Sequence, residues 1–491
     1  MAARPMRRGL AALAGAFAAA CLVPTASGAQ AVQIDAGVSH TCVLTSAGGV
    51  QCWGYNNAGQ LGDGSAATRR RKPVTVSGLS SGVVQIATGS AHSCALTTGG
   101  GVKCWGDNSI GELGDGTFVE RHAPVNVSGL TSGVAAIFAG GINTCALLDT
   151  GVVKCWGENS RGQVGGGPTL YHNTPVTIAG FSDDVVALDL NYFNVCARLV
   201  TGDAECWGHN AYYQVGDGTT VERHVPTAAD ELPTGLAHVD VGFGFTCALT
   251  ATGGASCLGL NNGGQLGAGG SSHGTSATAK NVVGLASGVD ELRTGSGHAC
   301  AVLAGGGVRC WGSNFWGELG SHRPGEHKKP FPHRHDPAAV PGLTGIEHVA
   351  LGWNHTCALA GSGEVLCWGA DRQGELGDGG QHAHTRPSYV LGYGGAATAT
   401  VLTTNRHPAH VGQLVRYTAR VSPRPGGGQV HFTDRGKTIK GCGSVAVVNG
   451  VARCFVRWKV AGHQHRIRAD FWGYGRFGQS SSSVLLDRVA L

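Results

Sequence analysis

Fourteen cysteines of this chain fall into seven pairs with the two members always ten residues apart: Cys42/Cys52, Cys94/Cys104, Cys145/Cys155, Cys196/Cys206, Cys247/Cys257, Cys300/Cys310 and Cys357/Cys367. Successive pairs begin 52, 51, 51, 51, 53 and 57 residues apart. A period held this evenly means seven copies of one unit of about 51 residues. Such a unit is too small to bury its apolar face alone and must stack on its neighbours.

Around each pair the unit reads V-x-x-I-x-x-G-x-x-H-T-C-A-L, then a glycine-bearing turn, then V-x-C-W-G-x-N-x-x-G-Q-L-G-D-G, a polar loop, and P-V-x-V-x-G-L. Stretches of period two bounded by glycine are strands, and four fit in each copy. TCVL (41 to 44) runs back against VQCW (50 to 53) around a turn that includes Gly48, which sets cysteines ten apart directly opposite one another. A cross-strand disulfide is within reach there if the pair is the non-hydrogen-bonded kind. Zinc would want Cys-x2-Cys spacing and four converging ligands, whereas these pairs are alike and isolated in separate units. The 83 glycines and a charged fraction of 14% suit many tight turns between short strands and argue against long helices. The expected fold is all-β: seven four-stranded units closing into a seven-bladed β-propeller over residues 30–394.

The unit resembles the regulator-of-chromosome-condensation repeat family. GVSHTCVL with WGYNNAGQLG and GSAHSCAL with WGDNSIGELG carry the resemblance, which recurs seven times over about 32–393. Departures are few: Leu258 replaces the blade tryptophan, Phe245, Asn143 and Asn194 replace the histidine, and Tyr213 replaces a glycine. The resemblance implies a binding propeller, with precedents that include nucleotide exchange on a small nuclear GTPase and secreted inhibition of β-lactamases. The recurring His40, His92, His298 and His355, and the tryptophans Trp53, Trp105, Trp156, Trp207, Trp311 and Trp368, read as architecture, because a ligand set must converge on one point. Asp63, Asp115, Asp217 and Asp378 of the LGDG segments read as turn formers.

Residues 1–29 carry Arg4, Arg7 and Arg8, an apolar run from Leu10 to Val23, and Ser-Gly-Ala before Gln30. This is the pattern of an export signal cut after Ala29, with lipid attachment at Cys21 as the alternative. The mature protein is expected to be secreted, extracellular or envelope-associated, and monomeric, with no further membrane-spanning segment. The repeat stops after Gly394. Residues 395–491 hold alternating strands such as LVRYTARV and ARCFVRW, and 14 Lys/Arg against 3 Asp/Glu. Residues 30–394 hold 19 against 28. The order resembles a bacterial immunoglobulin-like domain, a small β-sandwich, and that resemblance implies a Cys442–Cys454 bridge.

Function is expected where the copies differ. The loop between strands one and two carries Tyr192, Phe193, Phe243 and Trp353, and the loop between strands three and four carries Tyr212, Tyr213, Phe315 and Trp316, where other copies carry small or polar residues. Both loops belong to one face of an up-and-down blade. Aromatic clusters on rigid scaffolds suit partner recognition, although such rings also pack on one another. The longer loops ATRRRKP, VERHAP, VERHVP and SHRPGEHKKPFPHRHDP add charge to that face, and His322, His327, His333 and His335 of the last suit a solvated or partner-contacting loop better than a metal site. No nucleophile-base set, paired carboxylates or phosphate loop points to an enzyme, and no motif calls for a cofactor or metal. The expected function is a binding scaffold: an aromatic loop face for an unknown protein or glycan, and a basic C-terminal domain for a polyanionic envelope polymer. A structural adhesion module, or a hydrolase or lyase in the central cleft, are the alternatives.

Overall fold

The computed structural model describes residues 30–165, 167–270, 274–321, 331–394, 399–422, 428–460, 464–471 and 480–490. The expected leader with Cys21, and His322 and His327, lie outside the described residues.

Each repeat forms one four-stranded antiparallel sheet with its strands in chain order. In the first blade these are β1 (Ala31–Ala36), β2 (His40–Thr45), β3 (Val50–Tyr55) and β4 (Arg69–Thr75). The counterparts of β1 in the later blades are Val83–Thr88, Val134–Gly140, Val185–Leu190, Leu236–Val241, Val289–Thr294 and Ile346–Leu351. Each of these strands touches its counterpart in the next blade, and the seventh touches the first, so seven inner strands ring a common axis. Residues 31–389 form a seven-bladed β-propeller, and no helix occurs among the described residues.

Every hairpin has the register that the cysteine spacing demands. Cys42 lies opposite Cys52, Cys94 opposite Cys104, Cys145 opposite Cys155 and Cys196 opposite Cys206. Cys247 lies opposite Cys257, Cys300 opposite Cys310 and Cys357 opposite Cys367. The paired Cα atoms are 4.0 to 4.1 Å apart, the close approach of a non-hydrogen-bonded pair, with the sulfurs at bonding distance. All fourteen cysteines are buried, so they cross-link the blades from within and take no part in a binding surface.

No strand is exchanged between blades; they are joined by loop backbone bonds, such as Gly64 N–H to the His122 carbonyl at 2.9 Å, and by side chains. Each blade tryptophan is buried and donates its indole N–H to the backbone carbonyl at the Gln or Glu of the preceding blade's GQLG segment: Trp105 to Gln60 at 2.9 Å and Trp156 to Glu112 at 2.8 Å. Trp53 closes the ring on Glu375 at 2.8 Å. The ring of Trp105 lies so near Gly62 that a Cβ there would stand 2.7 Å from Nε1, and Gly62 also has φ +63°. Only glycine meets both demands. The repeated histidines serve the same joints: His40 Nε2 meets Ser93 Oγ at 2.9 Å, His92 meets Thr144 at 2.8 Å, His298 meets Thr356 at 2.9 Å and His355 meets Thr41 at 3.0 Å.

After the propeller, strands Ala399–Thr404, Leu414–Ser422 and Val451–Arg457 form one sheet. Ala409–His410, Leu485–Ala490, Gln464–Phe471, Gln429–Asp434 and Lys437–Thr438 form the path of a second. Val415, Tyr417, Ala419 and Cys454 of the first share one buried core with Val430, Phe432, Ile467 and Val489 of the second. Cys442 and Cys454 stand with sulfurs at bonding distance and Cα atoms 5.6 Å apart.

Candidate functional site

Inner strands of neighbouring blades do not pair, so their backbones need other partners along the axis. Side chains supply them. Gln33 donates to the Ile86 carbonyl (2.8 Å) and accepts from the Ile86 N–H (2.9 Å), and Gln85 does the same at Ile137 (2.7 and 2.9 Å). Asp35 accepts from Thr88 N (2.8 Å), Asp189 from Val241 N (2.5 Å), Asp240 from Thr294 N (2.7 Å) and Glu291 from Val349 N (2.9 Å). These residues, with His238, Arg293 and His348, line an axial well of about 430 Å³.

The well is mostly acidic, and its groups do not titrate alike. Arg293 lies between Asp240 (3.3 Å) and Glu291 (3.1 Å). Burial raises the Asp240 carboxyl, but the His238 hydrogen bond and the Arg293 charge outweigh it and hold the group below the usual range. Glu291 is held low in the same way, its burial outweighed by His348 and Arg293. No cation stands at contact distance from Asp189 among the described residues, and burial and then the Asp240 charge push it well above the carboxylate range. Each of these carboxylates is already committed to a neighbouring strand, which makes the well an architectural joint with an acidic character rather than a set of free acid–base groups.

At the mouth of the well the strand one–two loops bring four expected rings together. The Tyr192 centroid lies 5.6 Å from Trp353, 6.1 Å from Phe243 and 6.0 Å from Phe193, and Phe243 lies 6.0 Å from Trp353. Blades four, five and seven thus meet across the axis. Phe193 continues to His209 (6.2 Å) and His209 to Tyr212 (5.8 Å) on the strand three–four loop, which places both kinds of loop on one face. A small cleft of about 110 Å³ opens beside them, lined by Arg161, Tyr192, Phe193, His209, Tyr212 and Phe243, among others. Phe315 and Trp316 pack on each other at 5.2 Å, with the Arg372 guanidinium 4.2 Å over the Trp316 ring. Phe243 (37%) and Phe315 (45%) are exposed, whereas Tyr192, Phe193, Tyr212, Tyr213, Trp316 and Trp353 are half-buried. Tyr213 has φ +69°, left-handed backbone that a bulky residue rarely adopts.

Part of the charge expected on this face is spent within the blades, by arginines that stand at the start of the fourth strands rather than in the loops. Arg70, Arg121 and Arg223 pair with Asp63 (2.8 Å), Asp115 (2.9 Å) and Asp217 (2.6 Å) of their own blades. The same aspartates cap their turns by accepting from Ser65, Thr117 and Thr219 N–H. His333 accepts a hydrogen bond from Asn314 N at 3.3 Å, and no group of three or more His, Cys, Asp or Glu suited to a metal occurs among the described residues.

Apart from Tyr192 and Trp353 at its mouth, the lining of the well is not among the expected binding residues. Its signal was present: at one register of the inner strand the seven copies carry Asp35, Ala87, Phe138, Asp189, Asp240, Arg293 and Ala350. The copies differ there as much as in the loops.

The fold and the joined, repeated blades define a β-propeller of tandem homologous units. The chain belongs to the RCC1-like domain family, which matches residues 15–331, and regulator-of-chromosome-condensation repeats match 305–359 and 346–375. It is 28% identical to the ultraviolet-B receptor UVR8 of Arabidopsis thaliana over 401 residues, 78% of this chain and 88% of that protein. It is 32% identical to the E3 ubiquitin-protein ligase HERC2 of Homo sapiens over 203 residues, 40% of this chain but 4% of that one. Among solved structures, Prp20p of Saccharomyces cerevisiae superposes with a TM-score of 0.61 at 20% identity, covering 74% of this chain and 87% of that one. Human WBSCR16 superposes with a TM-score of 0.60 at 22% identity, covering 70% and 94%.

Proposed function

We propose that the chain is an exported binding scaffold whose aromatic loop face recognises a protein partner. The observation that carries this reading is the cluster of Tyr192, Phe193, Phe243 and Trp353 at the mouth of the well, in positions where blades one, two, three and six carry no aromatic residue. Rigid aromatic rings flanked by a cleft are the usual anchors of protein interfaces. The solved structures of Prp20p, described with binding to Gsp1p and histones and bound to Kap60, are precedents for protein partners on this fold. Export is supported by the leader pattern of residues 1–29 and by eight disulfide-compatible cysteine pairs. We read the C-terminal unit as an immunoglobulin-like sandwich whose excess of cations holds the molecule to polyanionic envelope material.

The test is a pull-down from culture supernatant and envelope extract with the full chain and with a Tyr192→Ala, Phe193→Ala, Trp353→Ala variant. The variant is expected to keep its unfolding midpoint within a few degrees and to lose a protein that the parent captures. Capture of the same protein by both overturns the assignment of the face. Capture of a glycan by the parent alone keeps the face and replaces the partner class.

A further inference from the structure

One face of the C-terminal domain is free of carboxylates. Strand Leu414–Ser422 pairs with Val451–Arg457, and Tyr417, Ala419, Ala452 and Cys454 point into the core. The alternate residues Arg416, Arg420, Arg453, Phe455 and Arg457 point outward and are exposed. Arg416 stands directly opposite Phe455, and Arg453 and Arg457 flank that ring on its own strand. Side chains two apart on a strand share a face about 7 Å apart, and opposite ones approach to about 5 Å. Phe455, at 54% exposure, is therefore an uncovered ring flanked by three arginines, of which Arg457 also donates to the Gly412 carbonyl at 2.8 Å. The domain's three aspartates are engaged elsewhere: Asp434 with His465, Asp470 with Arg468, and buried Asp487 with Tyr417 and His407. None of the four arginines forms an ion pair among the described residues.

We propose that this face binds single-stranded nucleic acid, with Arg416, Arg420, Arg453 and Arg457 on successive phosphates and a base stacked on Phe455. The proposal rests on the reading of this domain as polyanion-binding and goes further by naming the polymer. Four cations on one face suit any polyanion. An exposed ring at their centre adds nothing for a plain phosphate polymer, and it matches the flat face of a base, the stacking platform that sequence-tolerant single-strand binders use.

The experiment measures binding of labelled oligothymidylate and of labelled heparin to the full chain across a salt series. Phe455→Ala is expected to weaken oligothymidylate about 5- to 150-fold, the fold-change that corresponds to about 1–3 kcal/mol per stacked base, and to leave heparin unchanged. Phe455→Tyr is expected to restore the parent's affinity. Arg416→Ala with Arg453→Ala is expected to weaken both ligands and to flatten the oligothymidylate salt slope by about 1.4, at about 0.7 for each phosphate no longer neutralised. If Phe455→Ala changes neither ligand while the arginine pair weakens both, the nucleic-acid assignment fails and the general polyanion reading stands. If the arginine pair has no effect, this face is not the site. If the parent binds neither at low salt, both readings fall.

Discussion

Six blades carry an asparagine after Trp-Gly or Leu-Gly, namely Asn56, Asn108, Asn159, Asn210, Asn261 and Asn314, and the seventh carries Asp371. Asn56 shows what the position needs: its oxygen accepts from Leu61 N at 2.9 Å and its amide donates to the Ala67 carbonyl at 2.8 Å. Asp371 accepts from Leu376 N at 3.2 Å, but its other oxygen is buried without a partner. Burial, and then the charge of Asp378, push its carboxyl up to about 8. The folded protein thus keeps a proton that the unfolded chain releases near pH 4, and stability is lost as pH rises from there to about 8. Asp371→Asn is expected to supply the missing donor without a charge. Its gain over the parent should be near zero at pH 4 and at least about 1 kcal/mol at pH 8, since each tenfold change in proton affinity corresponds to about 1.4 kcal/mol. Urea midpoints of both proteins over that range check it, and a gain that does not grow with pH would place the charge elsewhere. The asparagine-to-aspartate change was visible in the sequence, but its meaning was not, because proton retention depends on how deeply the loop buries the group.

The hairpin was the most legible element, since cysteines ten apart around a short turn fix the register by counting. Non-reducing peptide mapping is expected to find all seven hairpin pairs oxidised within their own blades, each closing a loop worth about 3 kcal/mol on the chain-entropy model. Several free thiols, or bridges between blades, would refute this. The inner strand was less legible. Its period-two pattern shows that Asp35, Asp189, Asp240 and Arg293 point away from the apolar side, but not that seven such strands face one axis and that these side chains clip each strand to the next. Arginines expected in the loops lie in the fourth strands instead. Arg70, Arg121 and Arg223 look free in a linear reading, and the turn that returns each to its aspartate exists only once the blade has folded.

Across the whole molecule, the four blade histidines join blades one to two, two to three, six to seven and seven to one. Burial, assisted at His40 by the neighbouring His92 and His355 and at His298 by His355, lowers His40 and His298 to about 3; burial takes His92 and His355 to about 4. Between those values and the ordinary value of 6.5 the unfolded chain binds protons that the folded one refuses. Their contribution is therefore complete above about pH 6.5 and is lost as pH falls. The unfolding midpoint is expected to drop steadily from pH 7 toward pH 4.5. A variant with all four changed to asparagine, the residue blades three and four already carry, should be less stable at pH 7 but lose less on acidification. Parallel pH profiles of the two proteins would show that these histidines do not set the acid response.

Because each repeat builds one complete sheet and the ring is closed by Trp53 on Glu375 and His355 on Thr41, the junction between blades seven and one is made by the same contacts as those between blades one and two, two and three, and six and seven. Duplicating or deleting a repeat in such a gene adds or removes a whole wedge and orphans no strand. A gene permuted within the propeller, so that it opens between a different pair of blades, is expected to encode the same ring.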